Sequence, residues 1–88
     1  MQVQITFRHM EHTPALDDLI RDKSQKFTKW LGEGAVAHWV CGFEGIEQWS
    51  EVRVHAGRAE YFAKASADDL YKSIDLVVQK IQNQVSKA

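Results

Sequence analysis

The chain has a single cysteine in 88 residues, so no intrachain disulfide can form. Cys41 lies in the apolar run "AVAHWVCGF", which suits a buried, inert thiol rather than a redox partner or a nucleophile. One proline and five scattered glycines exclude collagen-like, low-complexity and linker-rich sequence. No apolar run approaches membrane-spanning length. The first residues, "MQVQITF", alternate polar and apolar types and lack the hydrophobic block of a signal peptide. These absences predict a soluble intracellular protein, cytoplasmic in a bacterium. The length predicts one small domain over residues 1–88.

An excess of one charge sign is missing as well, the formal net charge being −1. The charges are nonetheless sorted along the chain. Residues 21–30 carry a net +3, residues 70–88 a net +2, and residues 33–60 a net −3. Sorting of this kind predicts one surface that faces a polyanion and one that repels it.

Catalytic and metal-binding patterns are also absent. His9 and His12 form H-x-x-H, but no further ligands stand at zinc-site spacing. The serines lack any nucleophile motif, and Gly42 and Gly45 do not make a phosphate loop. Neither an enzyme nor a cofactor or metal site is expected.

What is present is a clear run of periodicities. Val3, Ile5 and Phe7 alternate with polar neighbours, predicting a half-buried strand. Thr13 and Pro14 suit the N-cap and first position of a helix, with Asp17 and Asp18 in its early turns. Leu16, Leu19, Ile20, Phe27, Trp30 and Leu31 follow the helical period, and the helix should stop at Gly32 or Gly34.

Three strands are predicted next, over 35–43, 50–56 and 59–65, with a loop at 44–48 and a hairpin at Gly57-Arg58. Ser66 is the expected cap of a second helix starting near Ala67, with Asp68 and Asp69 in its first turn. Leu70, Ile74, Val77, Val78, Ile81 and Val85 form its apolar stripe. The order β-α-β-β-β-α predicts an α+β two-layer sandwich: a four-stranded sheet with both helices on one face.

The stretch "RDKSQKFTKW" interleaves Lys23, Lys26 and Lys29 with core aromatics. On a helical wheel Lys23 projects near the centre of the apolar stripe, Lys26 at its edge and Lys29 beyond it. A lysine at such a centre either snorkels or opens into a groove between helices. On the second helix Lys80, Asn83 and Lys87 share a sector about 60° wide. Such a sector is either a plain solvated face or, where two basic ridges flank a groove between neighbouring helices, a seat for an RNA backbone that holds phosphates without reading bases.

"QITFRHMEHTPAL", "KSQKFTKW", "ASADDLYKSID" and "VVQKIQNQVSK", in this order along the chain, resemble the bacterial ribosome hibernation factors. The resemblance implies the fold predicted above. It also implies binding in the mRNA and tRNA channel of the small ribosomal subunit, keeping ribosomes inactive under stress. By position, Lys23, Lys26, Lys29, Lys80 and Lys87 match the family's basic rRNA-facing residues, and Arg8 matches a basic residue after the first strand. Asn83 stands where relatives usually carry arginine. The chain also ends at Ala88 without a terminal lysine run. Both departures imply weaker binding.

The expected partner is therefore small-subunit rRNA, with no membrane and no small-molecule substrate, and the protein is expected to be a monomer off the ribosome. Two other readings stand beside it. The family also includes modulators of a sigma factor, so a diverged paralogue could act on a protein through an exposed patch of Trp39, Trp49 and Phe62. A double-stranded-RNA-binding module shares the layering, but the basic helix start it normally uses is absent.

Overall fold

The computed structural model describes residues 1–87. Its elements are β1 (Gln2–Arg8), α1 (Pro14–Leu31), β2 (Val36–Glu44), β3 (Glu47–Ala56), β4 (Ala59–Ala67) and α2 (Leu70–Ser86). The sheet order is β1-β2-β3-β4. β1 pairs with β2 in parallel, and the other neighbours are antiparallel. This is the predicted α+β arrangement, with both helices packed on one face. No helix among the described residues is long and apolar enough to cross a membrane.

Local chemistry sets the helix ends. The Thr13 side chain accepts from the Leu16 N–H at 3.2 Å, and Gly32 closes α1 at φ 94° with its N–H on the Thr28 carbonyl. The start of α2 differs from expectation. Its cap is Asp69, whose carboxylate accepts from the Lys72 N–H at 2.8 Å. Ser66 instead stays in β4, opposite Trp49. Asp68 and Asp69 thus precede the first turn, and β4 runs two residues further than predicted.

The expected 44–48 loop is also a correction. β2 and β3 join through the two-residue turn Gly45-Ile46, with Glu44 opposite Glu47. Gly45 takes φ 63°, the sign a type II′ hairpin requires at its first central position, and Gly57 does the same between β3 and β4 at φ 60°. β3 consequently starts three residues earlier than predicted.

The core lies between sheet and helices: Ile20 and Phe27 of α1, Trp39 and Cys41 of β2, Val52 and Val54 of β3, and Ile74, Val77 and Ile81 of α2. Two hydroxyl contacts stitch the layers. Trp39 Nε1 donates to Ser24 Oγ at 2.9 Å, and Ser24 Oγ donates to the Ile20 carbonyl. Ser50 and Ser73 share a hydrogen bond at 3.0 Å. Burial pushes the Cys41 thiol up to about 12, Glu51 adding to the shift, which suits the inert role expected of it.

Candidate nucleic-acid interface

α1 runs back against the parallel pair β1–β2, and α2 runs back against β4, which points the same way as β2. The helices therefore share one direction, and their charges reinforce each other. The N-terminal half of α1 carries Asp17, Asp18 and Asp22, while Lys23, Lys26 and Lys29 follow. α2 is entered through Asp68 and Asp69 and carries Asp75 early, with Lys80 and Lys87 late. The helix layer is acidic at one end and basic at the other. Each helix dipole favours this distribution.

Lys23 does not open into an empty groove. Its Nζ lies 3.0 Å from Asp75 Oδ1 of α2, with the lysine side chain 30% exposed. The stem is packed and the amine is answered across the helix seam. Lys26 and Lys29 are exposed, and neither has a carboxylate partner among the described residues.

The Asp75 contact also fixes which side of α2 faces α1. Lys80 stands five residues on, about 140° around the helix. It turns to the other flank, where its Nζ donates to the Lys64 carbonyl of β4 at 2.8 Å. Gln84 follows, donating from Nε2 to the Phe62 carbonyl at 2.6 Å. The predicted pair of lysine ridges facing a single groove is thus replaced by an outer surface holding Lys26 and Lys29, with Lys80 on the sheet-edge side. Asn83 is exposed and accepts from Gln79 Nε2 at 3.2 Å. Lys87 is exposed and caps α2, its own N–H on the Gln84 and Val85 carbonyls. Arg8 ends β1 on the alternation that faces away from the helices, so it belongs to the opposite layer.

Several partners escaped sequence reasoning. Asp75 as the counter-charge of Lys23, and Gln84 as a cap on β4, depend on how the helices dock and leave no local signal. The Arg21–Asp17 pair at i, i+4 was legible. So was Lys72, whose hydrogen bond to Asp68 holds that carboxyl below its usual range and raises the lysine above its own. The sheet's open face excludes the proposed aromatic patch. Trp39 is in the core, Trp49 is buried beneath Lys64, and only Phe62 is substantially exposed.

The family model described as "Sigma 54 modulation protein / S30EA ribosomal protein" matches residues 3–88. The ribosome hibernation promoting factor of Klebsiella oxytoca is 29% identical over 87 residues, spanning 99% of this chain and 92% of that one. The ribosome-associated factor Y of Haemophilus influenzae is 28% identical, spanning 99% and 81%. The crystal structure of the Thermus thermophilus protein Y N-terminal domain shares the fold, with a TM-score of 0.91, 23% identity and coverage of 99% and 98%. The match over nearly its whole length places the chain in the sigma 54 modulation protein / S30EA ribosomal protein family, together with the short ribosome hibernation promoting factors.

Proposed function

We propose that the protein associates with ribosomes as a hibernation factor, holding small-subunit rRNA against the basic end of its helix layer and keeping the mRNA and tRNA channel closed. The observation that carries this reading is the pair Lys26 and Lys29, exposed and without a carboxylate partner among the described residues, toward the end where both helices finish. Lys87 adds a third amine at that end, and Asn83 adds a neutral hydrogen-bonding group. Lys23 and Lys80 are engaged within the protein and contribute after exchanging those partners. Arg8 would serve a contact on the other layer. The relatives named for ribosome association support the reading, which implies a cytoplasmic protein; a monomeric state off the ribosome is part of the proposal.

Charge on the helices acts on phosphates, so the interaction is salt-dependent and indifferent to base sequence. Co-sedimentation with purified small subunits tests it. Wild type should travel with the subunit at low salt, and Lys26→Glu with Lys29→Glu should remain at the top of the gradient. Equal sedimentation of the two would remove the assigned surface.

A second reading, a regulator that binds a protein, is favoured by one observation. Tyr71 and Leu76 are 54% and 47% exposed on the acidic half of α2, where an RNA backbone would be repelled. Failure of the wild-type protein to travel with small subunits even at low salt, with the fold intact, would favour it.

A further inference from the structure

β4 is an outer strand of the sheet, nine residues long and without proline. Such an edge is a template for a further strand unless something covers it. The cover here is thin. It consists of the Lys80 and Gln84 side chains, which reach from α2 to the carbonyls of Lys64 and Phe62. Those carbonyls point out of the sheet, and by the two-residue period Glu60 presents its backbone the same way.

We propose that the β4 edge is a guarded pairing site for a second copy of this chain, held closed by Lys80 and Gln84. The pairing is antiparallel about a two-fold axis through Phe62. Glu60 of each copy then stands opposite Lys64 of the other, and the two Phe62 rings meet on the axis. Glu60, Phe62 and Lys64 occupy one face of the sheet, opposite His55, Arg53 and Glu51 of β3. On the other face Tyr61 meets Ala63, a large side chain against a small one. Of the registers centred on Glu60, Phe62 or Lys64, only this one pairs opposite charges. Centring on Glu60 or Lys64 places like charges in direct opposition.

The same backbone groups would serve both states. Phe62 N–H and carbonyl exchange bonds across the axis, and the Lys64 carbonyl accepts from Glu60 of the partner copy. The guards therefore compete with the second strand for the same acceptors. Glu60 leaves Arg53, at 3.4 Å, to meet Lys64, and Lys64 leaves the Trp49 ring, at 4.7 Å. The proposal is independent of whether the helix layer binds RNA.

Sedimentation equilibrium of the full chain tests it. Lys80→Ala with Gln84→Ala should lower the dimer dissociation constant by roughly tenfold or more relative to wild type. Phe62→Pro on that background removes the N–H at the axis, at an edge position where proline is tolerated, and should return the protein to a monomer. Glu60→Lys on the same background should also abolish the dimer, and adding Lys64→Glu should restore it. Circular dichroism melts verify that each variant is folded. If loss of both guards unfolds the protein, Lys80→Met alone carries the same comparison. A guard variant no more dimeric than wild type would overturn the proposal. So would a dimer indifferent to Phe62→Pro and to the charge at position 60.

Discussion

Trp49 lies flat across Gly42, its cross-strand neighbour, so closely that a Cβ on Gly42 would sit 3.0 Å from Trp49 Cζ2 and 3.1 Å from the Arg8 carbonyl. Lys64 covers the ring's other side with Nζ 4.7 Å from the centroid. This explains how a tryptophan on the uncovered face of the sheet is only 8% exposed. Gly42→Val should tilt the ring off the sheet and destabilise the fold by about 1–3 kcal/mol. Thermal denaturation and a red shift of tryptophan emission check it. An unchanged melting temperature would mean that the ring is not held there.

Ser24 and Trp39 form a buried donor–acceptor pair, and the two ways of removing it should differ. Ser24→Ala leaves the indole N–H without an acceptor and should cost about 1–3 kcal/mol, lowering the melting temperature by roughly 4–8 °C per kcal/mol. Adding Trp39→Phe removes the orphaned donor. The second substitution should therefore be milder in the Ser24→Ala background than in wild type, and a double-mutant cycle by denaturant titration measures the coupling. Strict additivity would contradict the pair.

Asp17 accepts from Arg21 and, at 2.7 Å, shares a hydrogen bond with His12 Nε2. The Arg21 bond first and His12 second hold its carboxyl below the usual carboxylate range. A group whose folded pKa is depressed stabilises the protein above its unfolded value, near 3.9, and that stabilisation disappears as pH falls through the folded value. Asp17→Asn should therefore lower the melting temperature slightly at neutral pH and have little effect in strong acid, where the carboxyl is protonated. Equal shifts in melts at both pH values would contradict this.

Asp75 competes with phosphate for Lys23. Asp75→Asn should release the amine, tighten association with small subunits, and steepen log K against log[salt] by roughly 0.7–0.9. The stability change should stay within about 1 kcal/mol, because the pair is partly exposed. Filter binding at several salt concentrations checks the direction, and an affinity and slope unchanged from wild type would show Lys23 to be outside the interface.

The fold was legible because each element carries its own period and its own ends. Thr13-Pro14 and Gly32 bound α1, alternation marks β1 and β3, and an apolar stripe runs along α2. The errors lie where two local codes compete. Gly45-Ile46 lacks the asparagine or aspartate that advertises a hairpin, yet glycine alone meets the type II′ requirement. Ser66 is a good cap by type, but β3 extends far enough to hold it in the sheet, and Asp69 takes the role. The candidate interface was legible only as charge. Which lysine is free and which is engaged depends on helix rotation, and a turn of about 140° separates the flank that meets α1 from the flank that meets β4.

Salt dependence of small-subunit binding tests the central claim most directly, measured for wild type and for Lys26→Gln with Lys29→Gln and Lys87→Gln. Three phosphate contacts predict a wild-type slope steeper than the variant's by roughly 2–3, with a large loss of affinity at low salt and an unchanged melting temperature. Identical slopes for the two proteins would contradict the account, because the amines at the end of the helix layer would then be touching no phosphates.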